Sequence, residues 1–231
     1  MFAIIGGTSL IGTKAFAGWP EETKATRFGT VKVRSSGNAV FLQRHGDPCK
    51  PPHRIGHHAN IAALEELGVQ RILAVNSVGS LKYAIKPGTL VIPDDFACPW
   101  HVETFFDEEA RFIVPQMDGA FAREIFELCS LHTRSVRMGG TYVQTIGPRL
   151  ETRAEIKILK RFGDIVGMTL ASEATLAMEL NISYASICSV DNYCHGISRT
   201  QLTMEELVAN VSKNVRTIEN ILTAFIGRNT V

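Results

Sequence analysis

Long apolar runs are missing from this chain. Nothing approaches the roughly 18 consecutive apolar residues that a membrane-spanning helix requires. The opening Met1-Phe2-Ala3-Ile4-Ile5 passes straight into Gly6-Gly7, without the basic and long apolar stretches of a secretion signal. Cysteine is sparse and odd in number. The five thiols, Cys49, Cys98, Cys129, Cys188 and Cys194, include no Cys-x-x-Cys pair, which speaks against a disulfide framework and for reduced thiols in a cytoplasmic setting. Neither sign of charge is in excess. Lys and Arg number 24 against 23 Asp and Glu, a net charge of +1, so no global field draws the chain to nucleic acid or to a membrane surface. Internal repeats, low-complexity tracts and linker-like stretches are also lacking. What remains is 231 residues, 45% hydrophobic and 20% charged. That is the make-up of a soluble globule, read as one domain over residues 1–231.

Short apolar runs closed by glycine or polar residues predict buried strands over 2–5, 39–43, 71–75, 89–92, 164–168 and 182–190. Apolar residues at helical spacing predict helices over 59–67, 120–131, 151–162, 173–180 and 203–225. Gly68 stands where the first should stop, and Thr203 with Glu206 makes a capping-box pattern at the last. Strands alternating with helices imply an α/β fold: a single-domain three-layer α/β/α arrangement around a central mixed, mainly parallel sheet.

The polar residues gather where strands end, the place where open α/β sheets bind ligands. Gly6-Gly7-Thr8-Ser9 follows the first strand, Arg44-His45-Gly46 the second, and Asn76-Ser77 the third; Thr169 and Asp191-Asn192 follow later ones. A glycine turn, the hydroxyls of Thr8, Ser9 and Thr169 and the guanidinium of Arg44 are the parts of an anion site. Competing patterns fit less well. Gly7 to Lys14 resembles a phosphate-binding P-loop, but Thr13 occupies the lysine position, and the turn lacks the spacing of a dinucleotide site. Cys49, His53 and His57 have zinc-like i, i+4 spacing, yet Pro51 and Pro52 prevent a regular helix there. No metal or other cofactor is expected. Blander readings stand beside the functional ones: Arg44 as a surface ion-pair partner, Glu151 as a first-turn acid favoured by the helix dipole, Met168 as core and His195 as a loop residue.

Taken in order, Ile4-Ile5-Gly6-Gly7-Thr8-Ser9-Leu10, Arg44-His45-Gly46, Pro51-Pro52-His53, Ala59-Asn60-Ile61, Val78-Gly79-Ser80-Leu81, Gly147-Pro148-Arg149 and Gly167-Met168-Thr169 resemble the methylthioadenosine phosphorylase branch of the trimeric purine nucleoside phosphorylases. The resemblance spans nearly the whole chain. It implies phosphorolysis: inorganic phosphate attacks the ribosyl C1′ through an oxocarbenium-like transition state while the purine leaves. By the same resemblance, Thr8, Arg44, His45 and Thr169 are phosphate ligands, assisted by backbone N–H groups near Ser9 and Ser77, and Met168 packs under the ribose. The implied partners are a purine nucleoside and phosphate as substrates and two further copies of the chain in a homotrimer. The aromatic segment Thr104-Phe105-Phe106 would reach a neighbour's pocket.

At the base end, adenine-cleaving relatives carry Thr-Asp-Tyr-Asp where this chain has Asp191-Asn192-Tyr193-Cys194. They carry Phe-Ser-Thr where it has Leu150-Glu151-Thr152. The 6-oxopurine enzymes of the family have Thr-Asn and Phe-Glu-Thr. Glu151 can accept from N1–H of hypoxanthine, which adenine lacks, and the Asn192 amide can serve O6 and N7, so these two residues are the implied catalytic pair. A mismatched buried hydrogen bond costs about 1–3 kcal/mol. Asp191, at the family's Thr position, is a further base-binding candidate that a small register shift would place on an adenine amino group. At the sugar's 5′ end the ordinary nucleoside enzymes have a histidine. Here Met204 and Leu207, three apart on one helical face, present an apolar wall suited to a methylthio group or simply to core. The expected activity is therefore cleavage of 5′-methylthioinosine. The alternatives are methylthioadenosine phosphorolysis, general 6-oxopurine nucleoside phosphorolysis, hydrolysis by a nucleosidase, a non-catalytic nucleoside sensor and, remotely, an NAD-binding domain. Gly56-His57-His58 and Ile146 depart from the family pattern.

Overall fold

The computed structural model describes residues 1–198 and 204–230, with side chains of the final helix described from Asn214 onward. Its strands are β1 (Phe2–Gly6), β2 (Glu21–Thr26), β3 (Gly29–Ser36), β4 (Ala39–Gln43), β5 (Arg71–Ser80), β6 (Leu90–Ile92), β7 (Asp95–Ala97), β8 (Val136–Met138), β9 (Thr141–Gln144), β10 (Ile165–Gly167) and β11 (Ser183–Tyr193). The helices are α1 (His57–Glu66), α2 (Gly119–His132), α3 (Arg153–Leu159), α4 (Leu170–Glu179) and α5 (Met204–Asn229).

All the strands join one mixed sheet, with the path β2-β3-β4-β1-β5-β10-β9-β7 and a branch in which β11 pairs with β5, β6 with β11 and β8 with β6. Its centre is parallel: β1 lies between β4 and β5, and β5 also pairs along its length with β11. Both faces are covered, as a parallel centre requires. Ala3 and Ile5 pack into one core with Ile61 and Leu64 of α1 and Leu170, Ala174 and Ala177 of α4. Phe2 and Ile4, one residue out of phase, pack into the opposite core with Phe121 and Ile125 of α2 and Ile218, Leu222 and Phe225 of α5. This is the expected α/β/α layering, made by the period-two alternation of a strand with helices on either side. Among the described residues no helix is long and apolar enough to cross a membrane.

Four local differences from the sequence reading bear on function. The hairpin β2–β3 was not anticipated. Its outer strand, Glu-Glu-Thr-Lys-Ala-Thr, is exposed at the sheet edge and carries no apolar signal. β5 does not end at Val75 but continues through Asn76-Ser77-Val78-Gly79 to Ser80, because β11 runs beside it in parallel for that whole length. α4 starts at Leu170, directly after Thr169. Glu151 lies outside α3. Thr152 is the N-cap, its hydroxyl accepting from Glu155 N at 3.2 Å while Glu155 Oε2 accepts from Thr152 N at 2.7 Å. That reciprocal capping box fixes the helix start, so Glu155 is the acid of the first turn and the first-turn reading of Glu151 is overturned. The capping pattern at Thr203 lies outside the described residues.

Candidate active site

The ends of β1, β5, β10 and β11 and the loop before α3 surround a cavity of about 510 Å³. Thr8, Arg44, His45, Ser77, Glu151, Met168, Thr169, Asp191 and Asn192 all line it, so the structure brings together most of the residues singled out in the sequence. Ser9 is the exception. It is buried within the short 3-10 turn Thr8–Leu10, off the cavity wall, and its hydroxyl finds no partner. Met204 begins α5, but the side chains of Met204 and Leu207 lie outside the described residues.

The Arg44 side of the cavity is held by a buried ion pair that the sequence did not reveal. Arg44, 2% exposed, donates through Nε to Glu173 Oε1 at 2.5 Å, through Nη2 to Glu173 Oε2 at 2.8 Å, and through Nη1 to Val75 O at 2.8 Å. Tyr184 donates to Glu173 Oε2 at 2.9 Å. Burial alone works against the cation, but the Glu173 carboxylate outweighs it, and the guanidinium is held firmly protonated. Three of the five guanidinium N–H groups are thereby engaged, leaving one on each terminal nitrogen. The surface ion-pair reading of Arg44 is thus wrong in place: the pair exists, but in the interior. Glu173 did leave a trace in the sequence, a lone carboxylate within Leu170-Ala171-Ser172-Glu173-Ala174, on the buried face of α4.

Gly7 makes this arrangement possible. A Cβ there would lie 2.5 Å from both Arg44 Nη1 and Val75 O, a contact that requires the backbone or the guanidinium to move. Gly7→Ala is expected to lower stability by about 1–3 kcal/mol and to displace the fork, measured by denaturant unfolding alongside phosphate titration.

Around Arg44 stand neutral polar groups, each oriented by a specific partner. His45 donates Nδ1–H to Lys50 O at 2.8 Å, which fixes the tautomer and leaves Nε2 as the free ring nitrogen; burial lowers its pKa. Asn76, buried, bridges two hydroxyls: its Nδ2 donates to Thr169 Oγ1 at 2.8 Å and its Oδ1 accepts from Ser186 at 2.7 Å. Since Thr169 Oγ1 accepts from Asn76, its own O–H is left to donate. Thr169 N in turn donates to the Tyr142 phenol at 3.2 Å.

The cavity lining also includes Glu151, Asn192 and Cys194. Thr145 Oγ1 donates to Glu151 Oε1 at 2.6 Å, and Asn192 Nδ2 donates to Tyr193 O at 3.0 Å. Cys194 is packed against Gly79, where a Cβ would come within 2.6 Å of Sγ, and burial pushes the thiol pKa up, keeping it neutral. A register shift between Val190 and Asn192 makes Asp191 the extra residue of a β-bulge, the device by which strands re-aim side chains beside sites. Asp191 is buried. Its pKa is pushed up to about 6 by burial, against hydroxyls that favour the anion. The sign follows from linkage: the native state holds the proton more tightly than the unfolded chain, so stability falls as pH rises from about 4 to about 6 and stays lower above. Asp191→Asn is therefore expected to stabilise the protein by about 2–3 kcal/mol above pH 7 and by little at pH 4, read from unfolding midpoints.

Two further segments are absent from the residues that line the cavity. Thr104-Phe105-Phe106 is anchored on its own chain: Glu179 accepts from Thr104 Oγ1 at 2.7 Å and from Phe105 N at 2.6 Å, and Thr104 O accepts from His58 Nε2 at 2.7 Å. Gly56-His57-His58 opens α1. There His57 is buried with Nδ1 unpartnered, and its pKa is lowered to about 4 by burial. Among the described residues no group of three or more His, Cys, Asp or Glu is placed to hold a metal ion.

The geometry agrees with comparison to known proteins. Residues 2–227 match the family model described as the phosphorylase superfamily. The probable S-methyl-5′-thioinosine phosphorylase of Methanocaldococcus jannaschii is 40% identical over 98% of this chain and 92% of that one. The 6-oxopurine nucleoside phosphorylase of Pyrococcus furiosus is 39% identical over 97% and 91%. Among solved structures, the methylthioadenosine phosphorylase of Schistosoma mansoni in complex with tubercidin superposes with a TM-score of 0.80 at 28% identity, covering 99% of this chain and 92% of that one. A methylthioadenosine phosphorylase from an antarctic soil metagenomic library gives 0.80 at 27%, covering 100% and 87%. With matches of this extent the chain belongs to the phosphorylase superfamily, among its purine nucleoside phosphorylases.

Proposed function

We propose that this enzyme cleaves a 6-oxopurine nucleoside by phosphorolysis, with 5′-methylthioinosine the favoured substrate and hypoxanthine and 5-methylthioribose 1-phosphate the products. The observation that carries the base preference is the cavity wall where Glu151 and Asn192 stand together while a neutral Cys194 replaces the second carboxylate of the adenine-cleaving pattern. Glu151 accepts from N1–H, and the Asn192 amide serves O6 and N7. Phosphate lies on the Arg44 side, receiving the two remaining guanidinium N–H groups, the hydroxyls of Thr8 and Thr169 and backbone N–H groups near Ser9 and Ser77, while the unprotonated Nε2 of His45 accepts from the O–H of hydrogen phosphate. Because Glu173 neutralises Arg44, the dianion meets a preorganised set of dipoles and one balanced cation, not a bare positive cluster. One phosphate oxygen attacks C1′ as the C1′–N9 bond breaks, and the electron pair departs with the purine, which takes up a proton. Met168 packs beneath the ribose.

Two lines support the substrate class. Relatives at about 40% identity are named for S-methyl-5′-thioinosine or 6-oxopurine nucleosides. The 5′-methylthio preference rests on Met204 and Leu207 as an apolar wall that would leave a 5′-hydroxyl unpaired. A homotrimer is part of the same proposal. Comparing kcat/KM for 5′-methylthioinosine and inosine tests the wall: the expected ratio favours the methylthio nucleoside by about tenfold or more, in line with burial of one apolar group. Equal values, or a preference for inosine, would reassign the chain as a general 6-oxopurine nucleoside phosphorylase.

A further inference from the structure

Glu151 is assigned above to the N1 edge of the base, and a single hydrogen bond orients its side chain. Thr145 Oγ1 donates to Glu151 Oε1 at 2.6 Å, and no other group among the described residues bonds to this carboxylate. A carboxylate can only accept along that contact, so the threonine proton points to Oε1 and Oε2 is left for a ligand. The hydroxyl itself is held by the sheet. Thr145 directly follows β9, and its backbone N donates to Gly167 O of β10 at 2.8 Å, extending the ladder in which Gln144 pairs with Gly167. Glu151 has no such support of its own. It lies in the loop between β9 and α3, one residue before the capping threonine Thr152.

A second cavity, of about 320 Å³, adjoins the first. Glu151 and Arg149 line both, whereas Thr145 lines only the second, together with Trp100, Ile146 and Ile158. Glu151 therefore stands between the two spaces and has two ways to turn. The cation within its electrostatic reach is Arg149. That guanidinium is already taken: Nη1 donates to Glu155 Oε2 at 2.8 Å and Nη2 to Glu155 Oε1 at 2.7 Å, a two-pronged pair that satisfies its fork. Cys194 also lies within reach of the Glu151 charge, but burial keeps it a neutral thiol. Glu155 thus occupies the competing cation, and Thr145 is the group that decides where the Glu151 carboxylate points.

We propose that Thr145 is a positioning residue for base selection: its sheet-anchored hydroxyl holds Oε1 of Glu151 so that Oε2 is presented to N1–H of a 6-oxopurine. The proposal rests on the reading of Glu151 given above and extends it to a residue that touches no substrate. The N1–H bond forms when the nucleoside binds and persists as the glycosidic bond breaks. Losing the orientation of Glu151 therefore weakens binding of ground state and transition state alike, which raises KM and leaves kcat nearly unchanged. Without the hydroxyl, Glu151 is free to turn into the second cavity, and the N1–H of a bound base loses its acceptor.

The test is kcat and KM for purine release from 5′-methylthioinosine at saturating phosphate, in wild type, Thr145→Val, Thr145→Ser, Glu151→Ala and the Thr145→Val/Glu151→Ala double variant. Valine keeps the branched shape and removes only the donor. Thr145→Val is expected to raise KM about 5- to 20-fold, the kinetic equivalent of one hydrogen bond to a charged group, and to change kcat by less than about threefold. Thr145→Ser, which keeps the hydroxyl, should stay within about twofold of the wild-type KM. With Glu151→Ala already present, Thr145→Val should change neither constant further, because the two residues act through one bond. A merely structural threonine would carry the same penalty in both backgrounds. That equal penalty, or a Thr145→Val enzyme with the wild-type KM, overturns the proposal while leaving Glu151 at the base and phosphorolysis intact. Glu151→Ala with an unchanged KM removes the base reading on which the proposal rests, and wild type that releases no purine with phosphate removes the phosphorolysis reading as well.

Discussion

Glu173→Gln is expected to lower the thermal midpoint by about 10 °C and to weaken phosphate binding, although Glu173 is fully buried and is not expected to touch phosphate itself. Both Glu173 oxygens are engaged by the Arg44 fork, and Oε2 also receives the Tyr184 hydroxyl. An amide offers one oxygen and turns two N–H donors toward groups that are themselves donors. Breaking a buried pair by removing one charge costs about 3–5 kcal/mol, and for a chain of this size each kcal/mol is worth roughly 2–4 °C. Without its carboxylate partner the guanidinium loses the orientation that presents two N–H groups to phosphate. Added phosphate should therefore recover less stability in the variant than in the wild type, by mass action on the folded state. Calorimetry with and without phosphate measures both effects, and an unchanged midpoint would show that the ion pair does not hold this side of the cavity.

The second large effect is a change of base preference. Asn192→Asp is expected to raise the kcat/KM ratio of 5′-methylthioadenosine to 5′-methylthioinosine by about 10- to 100-fold, the kinetic equivalent of about 1–3 kcal/mol for one mismatched buried hydrogen bond. An aspartate accepts from the 6-amino group and from a protonated N7, but it cannot donate to O6. Asn192 pairs with Gly79 at the bulge, which holds the strand, whereas the bond that Nδ2 donates to Tyr193 O is lost and the aspartate must turn away from that carbonyl. Steady-state rates on the two nucleosides decide it. A ratio that does not move would take Asn192 out of base recognition and leave Glu151 as the reader of N1.

The parts of this molecule that alternate in the sequence were visible there. Phe2 to Ile5 reads as a buried strand and proves to be one, with its two faces in two cores. Thr8, Arg44, His45, Thr169 and Asn192 follow apolar runs and converge on one cavity. Pairing across the sheet was not visible. Nothing in Asn76-Ser77-Val78-Gly79 separates a loop from the end of a long strand until β11 is laid beside it. β2 has no buried residue and so no periodic signature, and β3 has only the short alternation of Val31 and Val33, both of which pack into the core. Glu173 was hidden for a related reason: a buried carboxylate is informative only once its cation is located, and Arg44 lies 129 positions away. Glu151 shows the opposite error. Its place in the first turn of the helix expected over 151–162 suggested a dipole role, and only the capping box of Thr152 and Glu155 places it ahead of the helix, in the cavity lining.

The most direct test is release of free purine from 5′-methylthioinosine, 5′-methylthioadenosine, inosine and adenosine, each with and without phosphate. The account predicts cleavage that requires phosphate, produces a sugar 1-phosphate, and is fastest with 5′-methylthioinosine. Purine release in the absence of phosphate would replace phosphorolysis with hydrolysis, and faster cleavage of methylthioadenosine would contradict the assignment of Glu151 and Asn192 to a 6-oxopurine.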